Sequence, residues 1–389
     1  MLIIEIIQII FLVYLGFATL YIFVFGFASL FPSPTKKNIK SKFRRYAVLI
    51  PGYKEDQVII EVAKDALMQD YAGEMYDIIV IADSFKEETL ETLRKLPIQV
   101  IEVSFDLSTK AKALNKAMDQ LPNNYDVALI LDADNLMEPE FILKINEAFN
   151  KGFVAVQGHR VAKNTNTPFA ILDAISEEVN NNIFRKGHRV LGFSSALIGS
   201  GMAFDYNYFK KIMKSIEAVG GFDKEIELQI LKGKIRIEFL DSAIVYDEKV
   251  QKAEVFSNQR RRWLSAQLHY FSVDFYSSIK HFFLYGNYDY LDKIIQFIQP
   301  PRVLLLGLLM MINVISVFLN PIEWVYIWFG VLAICILTFI FTIPAKFYNF
   351  NTIKAVFTLP KVFFLMFLSL LRIKGANKKF IHTEHGSVK

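Results

Sequence analysis

The chain has 389 residues, 53% of them hydrophobic and 36 of them Phe, a composition rich for a soluble protein and long enough for one globular domain with extra segments. Its 44 Lys plus Arg against 39 Asp plus Glu leave a net charge of +5, too small an excess to imply a nucleic-acid partner. The single cysteine, Cys335, lies in an apolar run, so an intrachain disulfide is excluded and the residue reads as a small packing group.

From Ile3 to Phe31 the chain is almost continuously apolar, with only Glu5 and Gln8 near its start, which exceeds the ~20 residues that cross a bilayer. No basic region precedes this stretch and no small-residue cleavage site follows it, so a spanning helix over residues 1–31 is expected rather than a signal peptide. Lys36, Lys37, Lys40, Lys42, Arg44 and Arg45 come next. By the positive-inside rule they hold the following domain on the cytoplasmic side of the plasma (inner) membrane.

Residues 32–280 read as an α/β domain with a mostly parallel sheet, because short β-branched runs alternate with amphipathic helical stretches. The expected strands are Tyr46–Ile50, Asp77–Ala82, Ile98–Val103, Val127–Leu131 and Phe153–Gln157. Helices are expected between them at Gln57–Met68, Lys86–Leu96, Lys110–Gln120 and Pro139–Phe149, the order of a sheet covered on both faces. Ligands of such sheets bind at the carboxyl ends of the strands, which selects Pro51–Asp56, Asp83-Ser84 and Asp132–Asn135.

Neither G-x-G-x-x-G after the first strand nor G-x-x-x-x-G-K-[ST] anywhere is present, so phosphate must be handled without a dinucleotide fold or a P-loop. Leu131-Asp132-Ala133-Asp134 ends an apolar strand with two carboxylates. Such a pair can hold Mg²⁺ or Mn²⁺, which would in turn bridge a diphosphate. Alone, the same pattern fits a solvated loop in which Asp134 or Asn135 caps the next helix.

Towards the C-terminus, Phe282–Gln299 is amphipathic and aromatic, an interfacial helix over 281–301 or a packed surface helix. Val303–Leu319 and Ile322–Ile343 form a helical hairpin, and Ala355–Leu371, which is short and contains Pro360 and Lys361, reads as interfacial or re-entrant. Together these make residues 302–373 a block of transmembrane or interfacial helices. Arg372, Lys374, Lys378 and Lys379 favour a cytoplasmic tail over 374–389, where we do not read His382 and His385 as metal ligands.

Six motifs in order resemble the processive-type family 2 glycosyltransferases, which include cellulose, hyaluronan and poly-N-acetylglucosamine synthases. Ile50-Pro51-Gly52-Tyr53-Lys54-Glu55 is similar to the P-x-Y-x-E opening, and Ala82-Asp83-Ser84 to the second acidic loop. Lys110–Asn115 resembles K-A-x-A-L-N, followed by Asp132-Ala133-Asp134. Gly199-Ser200-Gly201 is similar to the small-residue loop under the acceptor, and Gln259-Arg260-Arg261-Arg262-Trp263 matches Q-x-x-R-W.

The resemblance implies a GT-A (Rossmann-like) fold that uses a nucleotide-sugar donor, with UDP-sugars the expected class. It places Pro51, Tyr53, Glu55 and Asp83 around the nucleoside, Lys110 near the diphosphate, and Asp132 and Asp134 at the metal. Gly199, Ser200, Gly201, Gln259, Arg262 and Trp263 fall to the acceptor and diphosphate, with Arg262 as a second cation on the leaving group and Trp263 as a stacking platform. Arg260 and Arg261 read rather as a basic stripe touching lipid headgroups.

One departure stands out. Where the family has T-E-D-x-E-L, this chain has Asp223-Lys224-Glu225-Ile226-Glu227-Leu228, so Glu225 takes the place of the catalytic Asp and Asp223 is the alternative base. Glu227 is either a solvated helix charge or a structural partner near Arg262. The acceptor is expected to be a growing polysaccharide. The alternative is a lipid such as a diacylglycerol, a sphingolipid or a polyprenyl phosphate, and a non-catalytic polysaccharide-binding or export subunit is a third reading. Few spanning helices argue against a wide private channel unless a second copy or a partner subunit contributes.

Overall fold

The computed structural model describes residues 2–34, 42–218, 220–251 and 253–373. Lys36, Lys37, Lys40, His382, His385 and the tail over 374–389 lie outside the described residues. The central element is an eight-stranded sheet in the order β3-β2-β1-β4-β7-β6-β8-β5. Its strands are β1 Tyr46–Tyr53, β2 Tyr76–Asp83, β3 Gln99–Val103, β4 Val127–Ile130, β5 Leu136–Met137, β6 Ala155–Ala162, β7 Met202–Asp205 and β8 Ile237–Asp247.

Among the described residues the sheet is mixed: four of its seven pairings are parallel, the majority expected from the sequence, and three are antiparallel. β1 pairs in parallel with β2 and β4, β2 with β3, and β6 with β8, but β7 is antiparallel to both β4 and β6, and β5 to β8. The strands that break the pattern are short, two and four residues, too few for alternation to register in a sequence. β8 is long, but Asp241-Ser242 interrupt its apolar run where its pairing with β6 shifts register after Gly158.

The continuous apolar run of β1 follows from burial on both faces. Ala47 and Leu49 enter the core on one face and Tyr46, Val48 and Ile50 the other, as the two-residue period of a strand requires. The helices in chain order are α1 Leu2–Ala28, α2 Ile59–Ala66, α3 Glu87–Arg94, α4 Lys110–Gln120, α5 Phe141–Asn150, α6 Pro168–Asn180, α7 His188–Val190, α8 Tyr206–Met213 and α9 Phe222–Lys232. They continue with α10 Ala253–Tyr285, α11 Tyr288–Phe297, α12 Arg302–Leu319, α13 Ile322–Thr342, α14 Phe350–Val356 and α15 Leu359–Leu371. Helices α4, α8 and α9 cover the first face of the sheet, and α2 and α5 the second.

Three helical stretches among the described residues, Glu5–Ala28, Arg302–Leu319 and Ile322–Thr342, are long and apolar enough to cross a membrane. α14 and α15 meet at 48° and together pass the same test, as a broken span or a re-entrant loop would. The stretch expected as one interfacial helix over 281–301 is instead the end of the 33-residue α10, a break at Gly286-Asn287, and α11.

α1 is docked on the α/β half. Leu15, Ala18, Ile22 and Phe25 pack with Val179 and Ile183 from the α6 run and with Leu305, Trp328 and the buried Cys335. Gly187, in the π-helical stretch Asn181–Gly187, lies so close to α1 that a Cβ there would sit 2.0 Å from the Phe25 carbonyl oxygen. Only glycine fits that contact. Of the basic cluster, Lys42 pairs with Asp126 at 2.8 Å and Arg45 with Asp77 at 2.9 Å.

Candidate active site

Because β1, β2 and β4 run in parallel, the loops after them emerge on one edge of the sheet. β7 runs the other way, so the loop before it, Gly199-Ser200-Gly201, joins the same edge. β8 is parallel to β6, which is antiparallel to β7, so Asp247 at its end also arrives there. Topology thus brings together residues that lie up to 200 positions apart.

A cavity of about 280 Å³ opens at this edge. Pro51, Tyr53, Glu55, Asp83, Lys110, Asp132, Asp134, Gln259, Arg262 and Trp263, all selected from the sequence, line it. A second cavity of about 430 Å³ shares Lys110, Asp132, Arg262 and Trp263 with the first and runs on past Gly199 and Asp223 to Pro300, Pro301 and Met366, against α12 and α15. The two read as one cleft with a polar upper end and a lower end against the apolar helices.

Asp132, Asp134 and Asp247 each offer a carboxylate oxygen, and these oxygens lie within 4.8 Å of one another. Three hard oxygen donors at that spacing fit a divalent cation such as Mg²⁺ or Mn²⁺. Asn135 holds the set together, donating from Nδ2 to Asp134 at 3.1 Å and to Asp247 at 3.0 Å. Its Oδ1 accepts a hydrogen bond from the Ser200 hydroxyl, whose oxygen in turn accepts from the Asp132 backbone N–H at 2.9 Å. Gln157, fully buried, donates to the Ser200 carbonyl at 2.9 Å and anchors the loop.

Asp247 is not among the residues the sequence selects, and Asn135, inside the selected Asp132–Asn135 loop, is read there only as a helix cap. Asp247 carries the same mark as Asp83 and Asp132, a carboxylate closing an apolar strand, and that rule would have found it had β8 been recognised. Beneath the triad lies a buried ionic floor. Arg160 donates to Glu177 at 2.9 and 3.1 Å, and Lys249 pairs with Glu177 and, at 2.6 Å, with Asp247. Burial alone would raise the Glu177 and Asp247 carboxyls, but Arg160 and Lys249 outweigh it and hold both below their usual range.

Lys110 connects this floor to the acceptor side. Its Nζ pairs with Asp132 and donates to the Gly199 carbonyl at 2.7 Å, while lying 4.9 Å over the Phe222 ring. Gly199 has φ +90°, and a Cβ there would touch Asp223 at 3.8 Å, so the loop bends back against the start of α9.

The two candidate bases point to different places. They are two residues apart on α9, which at 100° per residue puts them 200° apart around the helix, so one cleft cannot take both. Asp223 lines the lower cavity. Glu225 lines neither cavity and instead accepts from the Tyr270 hydroxyl at 3.3 Å, and burial raises its carboxyl above the usual range. Glu227 is buried and pairs with Lys293 at 2.8 Å, so it is a structural charge with a partner other than Arg262.

The reading of Arg260 as a headgroup contact is corrected by its burial. At 8% exposure it pairs with Asp173, and its guanidinium lies 4.3 Å from the Trp263 ring centroid. Arg262 is largely buried, which lowers its pKa.

The family described as "Glycosyltransferase like family 2" matches residues 44–266, a segment that holds every site residue above up to Trp263. The chain belongs to this family.

Among curated proteins it is similar to the uncharacterized glycosyltransferase YkcC of Bacillus subtilis, 26% identical over 135 residues, or 33% of this chain and 41% of that protein. It is also similar to the probable glycosyltransferase YdaM of the same organism, 23% identical over 242 residues, or 59% of this chain and 56% of that one. The chain thus spans about half the length of the curated relatives it matches. Among solved structures, mannosyltransferase PcManGT from Pyrobaculum calidifontis, in complex with GDP-Man and Mn²⁺, superposes with a TM-score of 0.53 at 15% identity over 86% of this chain and 98% of that one. The fold of this glycosyltransferase-family chain is therefore α/β with a mixed sheet of the GT-A kind, and family membership supports sugar transfer.

Proposed function

We propose that this chain transfers a sugar from a nucleotide-sugar donor to an acceptor presented at the cytoplasmic face of a membrane. The observation that carries the proposal is the link from the Asp132, Asp134 and Asp247 carboxylates through Lys110 and Gly199 to Asp223, in one cleft that ends against apolar helices.

In this reading Pro51, Tyr53, Glu55 and Asp83 receive the nucleoside, and Asp132, Asp134 and Asp247 hold the divalent cation. That cation, when bound, supplies positive charge to a diphosphate leaving group. Lys110 and Arg262 face the same developing charge from the protein side, and partial burial strengthens both interactions. Asp223 accepts the proton of an acceptor hydroxyl. The hydroxyl oxygen bonds to the anomeric carbon as the bond from that carbon to the diphosphate breaks, and the electron pair leaves with the nucleoside diphosphate. A single displacement of this kind inverts the anomeric centre. Trp263, which lines both cavities, stacks in this reading against the acceptor sugar through the ring face that Arg260 does not cover, with Gln259 and the Gly199–Gly201 loop assigned to the same end.

Purified protein in neutral detergent, given a panel of nucleotide sugars with Mg²⁺ or Mn²⁺, should release nucleoside diphosphate from at least one donor. A ladder of products would identify polymer extension and a single lipid-soluble product would identify single transfer. Absence of sugar-dependent release across the panel in the presence of membrane lipid extract would count against the proposal.

A further inference from the structure

The lower cavity carries a charge imbalance that sugar transfer to a neutral glycan does not explain. Eight cationic side chains line it against four carboxylates, Asp132, Asp173, Glu177 and Asp223. Most of the eight cations are matched: Lys110 with Asp132, Arg160 with Glu177, Lys224 with Asp223, Arg260 with Asp173 and Lys293 with Glu227. Arg185 and Arg302 are not.

Arg185 is 4% exposed, and among the described residues its guanidinium donates to the Asn181 side chain at 2.7 Å and the Ala196 carbonyl at 3.2 Å, with no carboxylate in salt-bridge contact. Arg302 sits against the Phe184 ring at 5.4 Å, and among the described residues it has no hydrogen-bond or carboxylate partner. Beside them the buried Nε of Arg260 lacks a hydrogen-bond partner among the described residues. Burial lowers the Arg185 pKa to about 10 despite the charge of nearby Glu177, a carboxylate already paired with Arg160 and Lys249.

A desolvated guanidinium without a paired carboxylate is costly, and a neutral sugar's hydroxyls return little of that cost. A phosphate returns more, because its oxygens accept paired guanidinium hydrogen bonds in a geometry that Arg fits. Position identifies what the phosphate is attached to. Arg302 is the first residue of the 18-residue apolar α12, and Pro300, Pro301, Val303 and Met366 line the cavity around it. An anion seated here has its other substituent against a candidate membrane span.

We propose that the lower cavity binds the phosphate of a lipid-linked acceptor between Arg185 and Arg302, with the lipid chain leaving along α12 and α15 and the acceptor's sugar hydroxyl reaching Asp223. This rests on the sugar-transfer reading and names its acceptor class. The phosphate is an anchor in this arrangement, because the Arg185–Arg302 pair lines only the lower cavity, whereas Asp134 and Asp247 line only the upper one.

The test is equilibrium binding to the full chain in a neutral maltoside detergent, with dodecyl phosphate, dodecanol, inorganic phosphate and trigalacturonate as probes. Dodecyl phosphate should bind saturably and at least about tenfold more tightly than the other three, since a lost charge-assisted pair typically costs that much or more. Arg302→Gln and Arg185→Gln should each weaken it about tenfold, and Arg302→Lys should recover part of the loss. Binding of a nucleoside diphosphate with Mn²⁺ should survive in Arg302→Gln, showing the variant folded. If it does not, Arg185→Gln carries the comparison. Unchanged dodecyl phosphate binding in a folded glutamine variant would overturn the proposal. Equal affinity for inorganic phosphate would mean a soluble anion, and equal affinity for trigalacturonate an acidic glycan, each overturning it too. Dodecyl phosphate binding without any nucleotide or metal binding would sink the sugar-transfer reading and leave the phosphate site standing.

Discussion

The two ends of the cleft are opposites in charge. Among the described residues the upper cavity is lined by eight carboxylates and four cations, and the lower by eight cations and four carboxylates. Excess carboxylate at the closed edge of a sheet suits a site completed by a metal cation. Excess guanidinium against apolar helices suits a site completed by an anion. In the proposed reading the contrast tells the donor end from the acceptor end by what each lacks.

The largest expected effect lies where the two ends meet. Asp223→Asn removes proton acceptance while keeping size, so turnover should fall ~10²–10⁴-fold with nucleotide affinity nearly unchanged. Glu225→Gln should cost far less, because its carboxylate faces Tyr270. Steady-state kinetics on both variants decides the matter, and a dead Glu225→Gln beside an active Asp223→Asn would reverse the assignment.

A smaller effect sharpens the donor end. Asn135→Ala frees Asp134 and Asp247 from their shared donor and should weaken Mn²⁺ affinity ~10–100-fold, as loss of an outer partner of a metal ligand typically does. Titration of Mn²⁺ by its paramagnetic signal measures this directly. Affinity within twofold of wild type would mean that the carboxylates hold their places unaided.

An effect on stability rather than on turnover or binding concerns the joint between the α/β half and the apolar helices. His159 on β6 bonds to Glu178 at 2.8 Å and to Asp241 at 3.1 Å, while Lys346, beyond α13, pairs with Glu178 and Lys186 with Asp241. Burial alone would lower the imidazole, but the two carboxylates outweigh it and raise it to about 9. A folded-state value above the unfolded one means stability that is fully present below about pH 6.5 and is lost as pH rises through about 9. The loss is on the order of 3 kcal/mol at ~1.4 kcal/mol per unit. Thermal unfolding in detergent should show the midpoint falling over that window, with the fall largely absent in His159→Gln.

The upper end of the cleft was legible in the sequence and the lower end only in part, through Gly199, Asp223, Arg262 and Trp263 but not Arg185 or Arg302, for a physical reason. Pro51, Asp83 and Asp132 close apolar strands, and a parallel pairing rule places strand ends together without knowledge of any side chain. Asp247 escaped because Asp241-Ser242 break the alternation of its strand. Arg185 and Arg302 come from a π-helical stretch and the first turn of an apolar helix, and nothing local marks either as a cleft residue. Their meeting depends on how α1, α12 and the α6 run pack, which the periodicity of any one segment does not encode. The choice between Asp223 and Glu225 turned on helix phase, set by where α9 begins: Gly221 at φ +73° starts the helix so that Asp223 faces inward.

The most direct test of the central claim is calorimetric titration of nucleoside diphosphate into the full chain with Mn²⁺, with chelator, and in Asp247→Asn with Mn²⁺. The three-carboxylate site predicts tight binding in the first case, and at least about tenfold weaker binding in the other two, since an uncompensated diphosphate would face the acidic edge of the cleft. Equal affinity in all three would contradict it and leave the cluster a structural feature of the sheet edge.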